Sequence, residues 1–95
     1  MKEITIRARI TFLQESEKWF NFPVDKPIRT SFWLEHEVSS TFSQISFDQK
    51  EVHMNEIVEV NITLPYTEVF KDRLLTKTTF NLGVFPSIIA KGEIL

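Results

Sequence analysis

Cysteine is absent from the 95 residues, so neither a disulfide nor a thiolate nucleophile or metal ligand is available. That suits a reducing compartment, and a cytoplasmic location is the expectation. Glycine occurs only at Gly83 and Gly92, so tight turns fall to Asn, Asp, Ser and Pro. Two glycines so far apart cannot build a phosphate-cradling loop, and no Gly-rich stretch leads into Lys-Ser or Lys-Thr, which argues against GTP. Apolar residues nowhere run together long enough to cross a bilayer. The N-terminal segment is charged and alternating, unlike a signal peptide. A basic excess is also missing: 11 Lys and Arg face 13 Asp and Glu, for a formal charge of −2. Nucleic-acid binders usually show the reverse balance. Finally, no serine sits in a Gly-Xaa-Ser-Xaa-Gly elbow, and no nucleophile–base pair is evident.

What is present is a β pattern in a chain the length of one domain, residues 1–95. From Lys2 to Leu13, Ile4, Ile6, Ala8, Ile10 and Phe12 alternate with Thr5, Arg7, Arg9 and Thr11. Successive strand side chains point to opposite faces, so this stretch has one apolar and one charged face. Arg29–Val38 reads as a second strand after a loop marked by Pro23 and Pro27, with Phe32 and Leu34 on one face and Trp33 on the other. Thr41–Asp48 is a third, and its alternation slips between Phe42 and Ile45, which predicts a bulge. A polar turn follows at Asp48–Glu51. Glu56–Leu64 directs Val58, Val60, Ile62 and Leu64 inward. Thr67–Leu75 reads as a loop with at most one helical turn. Thr76–Leu82 and Ile88–Leu95 complete six strands, the last with Ile88, Ala90, Gly92 and Ile94 on one side. Ala90 and Gly92 are small enough for a neighbouring strand or a large ring to come close. Nine Phe, two Trp and one Tyr supply an aromatic core. The fold class is all-β, a closed six-stranded antiparallel barrel or a small sandwich.

These residues resemble a known family. Ala8-Arg9-Ile10-Thr11-Phe12-Leu13, then Pro23-Val24, Arg29 and Phe32, resemble the opening of the third, C-terminal barrel domain of bacterial elongation factor Tu. Val58–Leu64 is similar to its fourth-strand segment, and Phe80, Gly92, Ile94 and Leu95 match its closing strands. The resemblance covers nearly the whole chain. It implies a barrel standing alone, of a kind that in the elongation factor is not catalytic, packs on a GTPase domain, helps to hold aminoacyl-tRNA and docks partner proteins. This chain departs from the family where its loops face RNA. Gly83-Val84-Phe85 replaces an Arg-Glu-Gly segment, Lys18-Trp19-Phe20 replaces glycines and a basic group, and Met54-Asn55-Glu56 replaces Pro-Gly-Glu.

The expected function is therefore a non-catalytic protein-interaction module without cofactor or metal. Trp19, Phe20, Phe22 and Phe85 are its candidate contact residues, because aromatic side chains dominate interface energetics. A loop folded back to plug one barrel end is the plainer use of the first three. If the Phe85-Pro86 tip lies at the same end, the two loops form one patch. RNA or tRNA binding is the alternative, with Arg7, Arg9, Lys18 and Arg29 as phosphate contacts; the acid excess and the altered loops disfavour it. Glu35-His36-Glu37, with His53 from elsewhere, is the nearest thing to a metal set. On a strand, however, His36 would turn away from the two carboxylates. Enzyme activity is not expected, because a small barrel filled by its own side chains leaves little room for a cleft. Edge strands and aromatic loops also invite self-association into a homo-oligomer.

Overall fold

The computed structural model describes residues 2–65, 68, 70 and 72–95. Six strands form: β1 (Glu3–Phe12), β2 (Ile28–Leu34), β3 (Thr41–Phe47), β4 (Ile57–Pro65), β5 (Thr79–Val84) and β6 (Ser87–Ile94). They close into an antiparallel barrel in the order β1-β4-β3-β2-β5-β6. Closure decides between barrel and sandwich. Among the described residues it also leaves no whole strand unpaired along an edge, so the edge pairing expected to drive self-association has no full-length template there.

Alternation explains the interior. Ala8, Ile10 and Phe12 of β1, Val58, Val60, Ile62 and Leu64 of β4, and Phe32 and Leu34 of β2 are all buried. The register is continuous from Glu3↔Pro65 to Thr11↔Ile57, so both strands keep one phase over their whole length. Phe32 stacks on Phe80 at 4.9 Å between ring centroids, and Phe70 meets Phe32 edge-on at 5.7 Å. Ala90 pairs with Phe12 of β1 and with Leu82 of β5, so a small side chain sits between two larger ones.

One end of the barrel carries residues 13–27, 48–56 and the β5–β6 turn; we call it the upper end. Its plug is aromatic. Phe12 is fully buried and holds Phe20 at 6.3 Å, Phe22 at 5.4 Å and Phe47 at 6.2 Å. The two long loops are tied by an isolated bridge between Val24 and Val52, both buried. Asn55 N–H donates to the Phe12 carbonyl at 3.0 Å, fastening the second loop to β1.

Several expectations are corrected. β2 stops at Leu34 rather than Val38. Glu35 and His36 form a turn in which His36 takes φ 69°, and Val38 is 84 % exposed. Glu35-His36-Glu37 is thus a turn, not a strand face. The bulge expected in β3 is not there: β3 pairs without a break on both sides, and Phe42 simply points outward. The irregularity lies instead between β5 and β6. There Leu82 pairs with Ala90 but Gly83 with Ile88, leaving Ile89 as the extra residue. It turns Ile89 inward and leaves Ile88 only half-buried. β5 starts three residues later than expected and runs on to Val84. Of the loop expected over residues 67–75, residues 67, 69 and 71 lie outside the described residues. Among the rest, Phe70 is buried and Leu74 packs on the core. Scarce glycine has the expected consequence in the turns, where Asn55 and Asp72 adopt positive φ. His36 and Lys77 do so as well.

Candidate interaction surface

The first loop sorts its aromatics by position. After β1, Leu13 N–H donates to the Ile89 carbonyl at 2.8 Å, which pins the chain to β6. A 3₁₀ turn follows at Gln14–Lys18, with Ser16 fully buried and its hydroxyl donating to the Leu13 carbonyl. Trp19 and Phe20 both donate backbone N–H to the Ser16 carbonyl at 3.0 Å. As neighbours leaving one turn they diverge. Phe20 packs inward on the core with Phe22, while Trp19 stays 51 % exposed. The plug and the contact surface are therefore the same loop, divided between residues.

Phe85 sits at the same upper end, in the two-residue turn joining β5 to β6. Its ring stands edge-on to Trp33 at 5.0 Å. Trp33 points away from the barrel interior, as its alternation with Phe32 and Leu34 predicts, yet it is only 4 % exposed. Its strand partner Asn81 is also buried, and Asn81 Oδ1 has no hydrogen-bond partner among the described residues. Phe85 keeps 39 % of its surface exposed, and Val84 beside it 49 %.

The basic residues do not converge. The Arg7 guanidinium bonds Asp48, lies 3.5 Å from Glu59 and donates to Asn61 Oδ1 at 3.2 Å. It is held above its usual pKa, first by the hydrogen bond to Asp48 and then by the charges of Asp48 and Glu59. Arg9 lies 3.7 Å from Glu93, and Lys18 Nζ donates to Glu15 at 2.9 Å. Arg7 and Arg9 line a groove of about 360 Å³ together with Asp48 and Glu59, so its charge is balanced from within. Arg29 stands apart, on a second groove of about 690 Å³ across the outer wall. Among the described residues no group of three or more His, Asp or Glu side chains is placed to hold a metal ion. Among them, too, no helix is long and apolar enough to cross a membrane.

Two features of this surface escape the sequence reading. One is Phe42, 84 % exposed on β3, whose break from Ile45 reads as a bulge. Counting back by twos from Phe47 and Ile45 to Ser43 would have placed Phe42 outside. The other is that Arg29, alone of the four arginines, has no carboxylate partner among the described residues; nothing in the local sequence signals it. Compared with protein-family models and with curated proteins, the chain matches none.

Proposed function

We propose that this protein is a non-catalytic docking module, a barrel of the elongation factor Tu third-domain type that binds another protein through side chains on its rim and outer wall. The observation that carries this reading is the division of the aromatic residues. Phe12, Phe32 and Phe80 are fully buried, Phe20 and Phe22 seal the upper end, and Trp19, Phe42 and Phe85 are left facing water. Trp19 and Phe42 stand outside that filled interior, while Phe85 lies over Trp33 and still keeps 39 % of its surface exposed. Exposed aromatics on a rigid frame lose little side-chain entropy when covered, which is why such residues anchor interfaces. The closed six-stranded architecture is the one that the resemblance to the elongation factor domain implies, and it lends that reading support.

Tagged wild-type chain and Trp19→Ser, used as baits in cells that express the gene, test the proposal. Trp19 is an exposed loop residue, so the variant keeps the wild-type melting temperature. A specific protein retained by the wild type and lost by the variant is the expected result. Retention of the same proteins by both baits, or of none by either, overturns it.

A further inference from the structure

The groove on the outer wall is built from the strand register. Phe42 of β3, Ser31 of β2 and Gly83 of β5 form one row across the sheet, a large side chain, then a small one, then none. Ser31 and Gly83 make a floor, with Phe42 standing on one side and Val84 on the other. The bare position is enforced: a Cβ on Gly83 would run into the carbonyl oxygen of Ser87, which the β5–β6 bulge brings over it. At the head of the groove stands Arg29, in the row with Gln44. The ladder between β2 and β5 begins only at Ser31, so Ile28–Thr30 pair with β3 alone. Arg7, Arg9 and Arg73 all lie against carboxylates, whereas Arg29 has none among the described residues. The acidic residue of this groove, Glu3, belongs to β1, three strands along the ladder, and forms no ion pair with Arg29.

We propose that this groove seats an extended segment of a partner protein in which a carboxylate side chain and a large apolar one stand two residues apart, so that both face the groove. The carboxylate pairs with the Arg29 guanidinium, whose planar fork suits two parallel hydrogen bonds to one carboxylate. The apolar side chain lies on the Ser31–Gly83 floor and covers Phe42 and Val84. This rests on the docking reading above and adds to it the wall that is used and the chemistry of the partner segment.

The test is a titration of the ¹⁵N-labelled full chain with the synthetic peptide acetyl-Gly-Asp-Thr-Leu-Thr-Asp-Gly-amide, whose Asp and Leu side chains share one face when extended, against the same peptide with Lys in place of Asp. The expected result is saturable chemical-shift change centred on Arg29, Ser31, Phe42, Gln44, Gly83 and Val84 with the acidic peptide, and none with the basic one. Arg29→Glu weakens that binding about tenfold or more, the scale of a lost charged hydrogen-bonded pair, while its melting temperature stays at the wild-type value. Phe42→Ser weakens it as well. Equal response to both peptides, shifts scattered over the barrel, or undiminished binding by Arg29→Glu overturns the proposal. So does a shift of the same residues on simple dilution, which would mean that a second copy of the chain occupies the groove. A cellular partner lost by Trp19→Ser yet kept by Arg29→Glu sinks the groove assignment and leaves the docking module standing.

Discussion

The ring of Phe80 fills the space in which a Cβ on Gly92 would stand. The two residues are paired across β5 and β6, and such a Cβ would come within 2.7 Å of Phe80 Cε1 and 2.8 Å of Ile10 Cγ2. Phe80 is itself fully buried and stacked on Phe32, so it has nowhere to retreat. Gly92→Ala should therefore overpack the core, at a cost of about 1–3 kcal/mol. In a domain of this size that lowers the melting temperature by at least ~4 °C, measurable by circular dichroism. An unchanged melting temperature would mean that the ring does not stand over Gly92.

Phe12 and Phe42 predict opposite responses to truncation. Phe12 is fully buried among three other rings, and Phe12→Ala should cost about 3–5 kcal/mol, a large part of a small domain's total stability. Phe42 is 84 % exposed, and Phe42→Ser should stay within about 0.5 kcal/mol of wild type. Urea denaturation of the two variants compares them directly. A Phe42→Ser protein as damaged as Phe12→Ala would put β3 in the opposite phase.

Thr30 and Ser43 form a buried polar pair across β2 and β3. Their hydroxyls lie 3.2 Å apart, and Ser43 Oγ also donates to the Thr30 carbonyl at 3.1 Å. Ser43→Ala strands the Thr30 hydroxyl, at about 1–3 kcal/mol for a buried group without a partner. In Thr30→Val, Ser43 keeps its bond to the carbonyl, so the loss should be smaller. The double variant should then lose less than the sum of the two singles, as a denaturation cycle would show. Strict additivity would argue that the hydroxyls do not interact.

Arg7, Arg9 and Lys18 already face carboxylates of this chain. Phosphate would have to displace those partners and act against a net charge of −2. Binding to RNA releases counterions and so weakens steeply with salt. On a filter assay with total aminoacylated tRNA, no retention is expected at 150 mM salt, a concentration of roughly the physiological ionic strength. Firm retention that falls steeply as salt is raised would favour RNA binding.

Alternation along β1 and β4 can be read from the sequence because it is a local property. A strand with one buried face must place its apolar residues two apart, and nothing elsewhere in the chain alters that count. The same logic gave the phase of Trp33 and the need for small residues at Ala90 and Gly92. Phe20 and Phe22 were legible as a plug for a similar reason, since adjacent apolar residues after a strand favour folding over its open end.

Other features depended on partners distant in sequence. Whether Phe42 meant a bulge or an outward ring was decided by the unbroken pairing of β3 with both neighbours. The real bulge, at Ile89, lies where β6 pairs with β1 and β5 together, and it brings the Ser87 carbonyl over Gly83 beside the groove. Trp33 is buried on an outward face because Phe85 reaches it from another strand pair. Arg7 and Arg29 look alike in sequence, yet one is held by Asp48 and the other stands without a carboxylate partner among the described residues. Local sequence fixes which way a side chain points along its strand. What it meets there depends on how the ladder closes, and that is set only when all six strands are in place.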